Sequence, residues 1–289
     1  MVTISDSRLL SPEEVHRLQS AGDALVVDVR DADDYAISHV AGAVNIPQIF
    51  YHLSTTTAEE LETSRALFED LFASAGVTSD TLVVLYEDGL ASRFGGSFRG
   101  WWWLGFFGHE NAAVLDGGFK AWEEAGLPVD DVPVERPRSD FKASLNRHML
   151  ALKEDVVAAL EDENVKLLDN RDAVEWFCES SSPYDTPEED FSPRRGRIPG
   201  ATWVEWTKLM TDSESPTFRS PEEIREIMGS AGLTPDDDII IYCFKGSRAS
   251  NTFAALRSAG FGRLRNYLGS WYEWSAIESL PIEQGARPT

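Results

Sequence analysis

The chain repeats itself, and a repeat of this kind limits the folds open to it. Leu25-Val26-Val27-Asp28-Val29-Arg30-Asp31 reads as an apolar strand ending in Asp-x-Arg-Asp, and Lys166-Leu167-Leu168-Asp169-Asn170-Arg171-Asp172 does the same. His39-Val40-Ala41-Gly42-Ala43 is followed much later by Arg197-Ile198-Pro199-Gly200-Ala201, and Val83-Val84-Leu85-Tyr86-Glu87 by Ile239-Ile240-Ile241-Tyr242-Cys243. Each half finishes on a glycine turn and a tryptophan, at Gly117-Gly118 with Trp122 and at Gly269-Ser270 with Trp274. The separations are 141 residues from Asp28 to Asp169, 156 from Glu87 to Cys243 and 152 from Trp122 to Trp274. Four motifs in one order at nearly constant spacing indicate a duplication with loop insertions.

Both halves carry the same local grammar. Ser11-Pro12-Glu13-Glu14 and Ser220-Pro221-Glu222-Glu223 place an N-cap serine, a proline at the first helical position and acids in the first turn. Short apolar runs alternate with such helices, which predicts an α/β fold with a largely parallel sheet flanked by helices in each half. Val132–Asp140 is rich in proline and charge and reads as a linker. The expected organisation is a first domain over 1–134, a linker over 135–148 and a second domain over 149–289, and a length of 289 residues accords with two domains. Trp101, Trp102 and Trp103 lie in a helical segment, and three consecutive residues cannot share one helix face. One or two are expected in the core and the remainder where the domains pack.

Composition removes several classes of function. Acidic residues number 49 and basic ones 26, a formal charge of −23 that repels nucleic acid and anionic membranes. The basic residues are 20 Arg and only 6 Lys, so an ordinary acidic protein and one adapted to high salt both fit. No apolar run is long enough to span a bilayer, and the N-terminus lacks the basic start and apolar core of a signal peptide, so a cytoplasmic location is expected. Two cysteines, Cys178 and Cys243, are too few for a disulfide framework or a zinc site, and the five histidines show no ligand spacing. Neither metal nor cofactor is expected.

The chemistry gathers at Cys243-Phe244-Lys245-Gly246-Ser247-Arg248. The apolar strand Ile239-Ile240-Ile241 leads into it and the helix-forming run Ala249–Arg257 leads out. A glycine-bearing loop between strand and helix turns backbone N–H groups inward and makes an anion site. A helix N-terminus with Lys245 and Arg248 nearby favours the thiolate, the nucleophilic form of cysteine. A buried structural cysteine is the plain alternative, and it is the reading kept for Cys178, which has no such neighbours.

On these residues the chain resembles the rhodanese family, in its two-domain, thiosulfate-using form, over essentially its whole length. The resemblance rests on Asp169-Asn170-Arg171, Arg197–Ala201, Cys243–Arg248 and Asn266–Trp274. It implies two tandem rhodanese-like domains, the second catalytic and the first an inactive copy, because Glu87 stands where Cys243 does. It also implies a double displacement in which the Cys243 thiolate takes the outer sulfur of thiosulfate, sulfite leaves, and the persulfide passes its sulfur to cyanide or a thiol. Lys245 is then the cation for the sulfonate, Phe244, Gly246, Ser247 and Arg171 line the substrate site, and Arg248 either contacts the anion or braces the loop. The partners implied are a small-molecule sulfur donor and a thiophilic acceptor, with the protein acting as a monomer.

Two positions depart from the family pattern. Animal members of the family carry a substrate-contacting arginine where this chain has Glu175, and Arg194, Arg195 and Arg197 either replace it or form a solvated basic patch. Arg197 also stands where the family has histidine, which His39 keeps in the first half, and both positions read as loop structure. Relatives that prefer 3-mercaptopyruvate carry a small uncharged pair after the cysteine, unlike Phe244-Lys245, so thiosulfate is favoured. Phosphatases of this fold use a loop one residue longer, so the six-residue loop points to sulfur and away from phosphate. Persulfide relay to a protein partner uses the same thiol and stays open.

Overall fold

A computed structural model describes residues 9–184 and 194–285; residues 1–8, on which the signal-peptide reading partly rests, lie outside them. The chain forms two compact units. The first takes in the chain through His52, then Glu62–Asn146 and Thr211–Thr217; the second takes in Leu53–Leu61, Arg147–Met210 and the chain from Phe218 onward. Each unit therefore includes a short segment from the other half of the sequence.

In the first unit the strands are β1 (Leu9–Leu10), β2 (Ala24–Asp28), β3 (His39–Val40), β4 (Val44–Asn45), β5 (Leu82–Tyr86), β6 (Ala112–Leu115) and β7 (Val129–Asp130). Its helices are α1 (Pro12–Ala21), α2 (Ala32–Ile37), α3 (Gln48–Tyr51), α4 (Ala58–Ser74), which begins within the segment assigned to the second unit, α5 (Gly96–Phe106) and α6 (Gly118–Glu124). The second unit carries β8 (Leu150–Ala151), β9 (Val165–Asp169), β10 (Thr202–Trp203), β11 (Asp238–Tyr242) and β12 (Arg263–Tyr267), with α7 (Lys153–Ala159), α8 (Ala173–Trp176), α9 (Pro221–Ser230), α10 (Ser247–Ser258) and α11 (Ser270–Ala276).

The sheet orders are β1-β6-β5-β2-β4 and β8-β12-β11-β9-β10. Position for position this is one topology used twice, and every pairing within the two five-stranded sheets is parallel. β3 and β7 add a small antiparallel ladder. The central strands β2 and β5 are buried at every residue, as the apolar runs require when a parallel sheet is covered on both faces. Ser11 and Ser220 cap α1 and α9 as the sequence predicts, each accepting a hydrogen bond from the third residue onward.

The cores correspond as well. Val84, Tyr86, Phe119 and Trp122 cluster in the first unit, and Ile240, Tyr242, Trp271 and Trp274 in the second. Trp122 and Trp274 each satisfy the indole N–H on a proline carbonyl, Pro128 O at 2.9 Å and Pro281 O at 2.8 Å. All three of Trp101, Trp102 and Trp103 are buried, because α5 is buried around its whole circumference. A helix buried on every side has no solvent face. Trp102 stacks on Phe106, and Trp103 on Phe107.

Candidate active site

Parallel strands bring their C-terminal ends to one edge, and β11 delivers Cys243 there, immediately beyond Tyr242. The loop then turns through Gly246, whose φ of +85° makes it the left-handed N-cap of α10. A Cβ at Gly246 would lie 2.9 Å from Leu268 Cδ1 and 3.1 Å from its carbonyl oxygen, so only glycine fits both the conformation and the space. The Gly246 N–H donates to Cys243 Sγ at 3.1 Å. The opening N–H groups of α10 have no carbonyl one turn back within their own helix, so this end of the loop is rich in donors. The Gly246 carbonyl is fixed in turn by Ser250 Oγ at 2.7 Å and Asn266 Nδ2 at 3.3 Å.

The cysteine backbone is held by the first turn of α11. The Cys243 N–H donates to Ser270 Oγ at 3.2 Å, Trp271 N–H donates to Cys243 O at 3.0 Å, and Tyr272 N–H donates to Phe244 O at 2.9 Å. Cys243 is 1% exposed, and both it and Cys178 are free thiols. Cys178 has its Sγ beside Trp176 O at 3.8 Å.

The structure places the other predicted residues as follows. Lys245 is in the loop and largely buried, with Nζ over the Tyr184 ring at 5.6 Å from its centroid. Phe244 packs edge-on against Tyr184 and Tyr272. Ser247 opens α10 and is buried. Arg248 runs into the interior, where Nη1 meets Glu175 at 2.5 Å and Asp172 at 2.9 Å, and Nη2 meets Glu175 at 3.1 Å. Burial alone lowers an arginine's pKa; the Glu175 and Asp172 carboxylates outweigh it and hold Arg248 well above the usual value. Of the two roles open to Arg248, the geometry shows the brace. Glu175, fully buried, is its counter-ion.

Arg171 is committed in the same manner. Its Nε and Nη2 bind the Asp169 carboxylate at 2.7–3.1 Å, Nη2 also donates to Gly196 O at 2.8 Å, and the guanidinium lies over Trp271. Arg30 repeats this pairing with Asp28 in the first unit at the same distances. Two arginines of the cluster make contacts within the fold. Arg194 donates to the carbonyls of Trp274, Ser275, Ile277 and Leu280 and so closes the C-terminal end of α11. Arg197 pairs with Glu283 and covers the Trp176 ring at 4.2 Å. Arg195 is exposed. His39 lies in β3 and is buried, stacked on Tyr35 with Nδ1 2.7 Å from Tyr35 O.

Glu87 occupies the position of Cys243 in the first unit, and its carboxylate sits in a cradle. Oε1 accepts from Ser97 N at 3.0 Å and Ser97 Oγ at 2.6 Å; Oε2 accepts from Gly96 N at 3.2 Å and Ser92 Oγ at 3.3 Å. In the copy without a nucleophile, the Glu87 side chain takes up the N–H and hydroxyl donors of the loop itself. That copy has kept the brace, for Arg93 pairs with Asp31 at 2.6 Å and Asp34 at 2.7 Å as Arg248 does with Asp172 and Glu175.

A model of the rhodanese-like domain matches residues 11–125 and 152–277. The chain belongs to the rhodanese family. A "Putative thiosulfate sulfurtransferase 1" of Mycobacterium bovis is 32% identical over 89% of this chain and 90% of its own. The 3-mercaptopyruvate sulfurtransferase of Escherichia coli is 28% identical over 98% of this chain and 92% of its own. Among solved structures, an anaerobic ergothioneine biosynthesis enzyme from Chlorobium limicola, in complex with trimethyl histidine, superposes with a TM-score of 0.78 at 26% identity, covering 97% of this chain and 71% of that one. The protein is thus a rhodanese-family sulfurtransferase with two copies of the domain.

Sequence reasoning missed Ser270, Glu175 as the partner of Arg248, and Tyr184 beside Lys245. A residue-by-residue comparison of the two halves signals the first, since Ser270 stands where the first half has Gly118. The other two are meetings of residues 61 or more apart, which only folding brings together.

Proposed function

We propose that the protein transfers the outer sulfur of thiosulfate through a persulfide on Cys243. The observation that carries this reading is the six-residue loop in which Gly246 N–H already donates to Sγ and Lys245 stands two residues on. The thiolate attacks the outer sulfur, the S–S bond of the donor breaks, and its electron pair leaves with sulfite. Cys243 is left as a persulfide anion, which the same N–H groups suit. Cyanide or a thiol then attacks the terminal sulfur and returns the thiolate, a ping-pong cycle. Lys245 supports thiosulfate over 3-mercaptopyruvate as donor, since an ammonium serves a sulfonate as a compact charge. Phe244, Gly246 and Ser247 shape the loop around the donor, while Arg171 and Arg248 act by holding it in place.

The nearly covered thiol suits a small donor, and the groups named around Cys243 come from one unit of one chain, which accords with a monomer. Free cysteines accord with a reducing, cytoplasmic setting.

Mass spectrometry of the protein after exposure to thiosulfate tests the reading. An added mass of one sulfur, about 32 Da, is expected on Cys243 and absent in Cys243→Ser. A wild-type protein that gains no sulfur overturns it. Turnover of 3-mercaptopyruvate well above that of thiosulfate moves the donor to the former.

A further inference from the structure

The first turn of α11 clasps the catalytic loop, and comparison with α6 shows what is special about it. In the first unit, Phe119 N–H donates to Glu87 O at 2.8 Å and Lys120 N–H to Asp88 O at 3.0 Å, the same backbone clasp that Trp271 and Tyr272 make on Cys243 and Phe244. All four side chains over 270–273 differ from those over 118–121, and two of them bear on the clasp. Ser270, which accepts from the Cys243 N–H, stands opposite Gly118, and Glu273 stands opposite Ala121.

Glu273 is 4% exposed and pins that turn. Its own N–H donates to Gly269 O at 2.9 Å, and its carboxylate folds so closely over Gly269 that no Cβ fits there. The carboxylate is satisfied from a distant part of the chain. Thr56 N–H donates to Oε1 at 3.0 Å and Thr56 Oγ to Oε2 at 2.8 Å, while Lys153 N–H donates to Thr56 Oγ at 3.0 Å. Thr56 lies in Leu53–Leu61, the segment of the first half that belongs to the second compact unit. Ser270, next to Gly269, has a φ of +51°, a conformation that costs a non-glycine residue and persists only where its surroundings enforce it.

We infer that Thr56 is a positioning residue for sulfur transfer: through Glu273 it fixes Gly269-Ser270, and through Ser270 it fixes the backbone of Cys243. The inference rests on Cys243 being the sulfur carrier. It gives the segment around Thr56, encoded beside the silent copy, a task in the active one.

The test is Thr56→Val, which keeps the shape and removes the hydroxyl, with Thr56→Ser as the conservative return and Glu273→Gln as a second lesion. Two readouts are taken on the full chain: the rate of Cys243 alkylation by iodoacetamide, which needs no donor, and steady-state transfer from thiosulfate to cyanide. Thr56→Val is expected to change the alkylation rate and lower kcat about tenfold with KM for thiosulfate unchanged, and Thr56→Ser to restore both to within about twofold. Should Thr56→Val fail to fold, Glu273→Gln carries the same expectation. Wild-type alkylation and kcat in the folded variants overturn the inference, as does an equal loss in Thr56→Ser. A wild-type protein that transfers no sulfur, while Thr56→Val still alters alkylation, sinks the transfer reading and leaves the positioning intact.

Discussion

Arg248 and Glu175 form a two-pronged ion pair inside the second unit, at 2.5 and 3.1 Å, with side chains 1% and 0% exposed. Arg93 pairs with Asp34 through a single, partly exposed contact at 2.7 Å in the unit that has no cysteine. A contact retained without the chemistry serves the loop's shape. Glu175→Ala leaves the buried guanidinium with Asp172 as its one carboxylate partner and is expected to lower stability by about 2–4 kcal/mol, read from the shift of the urea midpoint. Arg248→Lys keeps the charge but cannot make the fork, so a loss of kcat is expected even in folded protein. A Glu175→Ala protein as stable as the wild type removes the brace from the account.

Lys245 is one of 6 lysines in a chain of net charge −23, and it lies in the catalytic loop. Lys245→Ala is expected to raise KM for thiosulfate by about tenfold, the scale of one charge-assisted contact, with a smaller effect on kcat. The wild-type KM should climb with ionic strength and that of the variant should stay nearly flat. Steady-state kinetics at two salt concentrations checks both, and an unchanged KM in the variant refutes the role.

Glu87 makes the first unit sensitive to pH. Burial pushes its carboxyl up to about 8, against the pull of the hydrogen bonds from Ser97, Gly96 and Ser92. A carboxyl raised in the folded state takes nothing from stability below its unfolded pKa of about 4.5. Stability then falls as pH rises through the interval to about 8, by a total on the order of 5 kcal/mol. Glu87→Gln cannot ionise and is expected to flatten that slope. Urea midpoints of the two proteins from about pH 5 to 9 decide it; parallel curves count against the assignment.

The acidic composition predicts a response to salt. Self-repulsion at net charge −23 is screened within about 3 Å at 1 M salt. If the surface is built for brine, the melting temperature and the sulfur-transfer rate both rise on going from dilute buffer to molar KCl. Full stability and activity in dilute buffer would assign the charge to ordinary solubility.

Much of the site was legible because it is local. Ile239–Ile241 followed by Cys243 and Gly246 forms a strand, loop and helix in one unbroken stretch, and the matching runs at Val83–Glu87 reveal the duplication. What escaped depends on chain segments that meet only on folding. Glu175 read as the loss of a substrate contact; its true partner is 73 residues away. Arg194 read as a possible anion contact, yet it closes a helix some 80 residues downstream, because a guanidinium with five donors suits bare carbonyls as well as it suits an anion.

A loop whose donors are already taken by its own carboxyl side chain has none left for an anion from solution. Sulfite, sulfate or thiosulfate titrated against this protein will meet a single receptive loop, although the chain contains two of the same ancestry. Binding isotherms should saturate at one equivalent, and product inhibition by sulfite should follow one-site kinetics. Duplication here enlarged the architecture while leaving the stoichiometry of the chemistry at one.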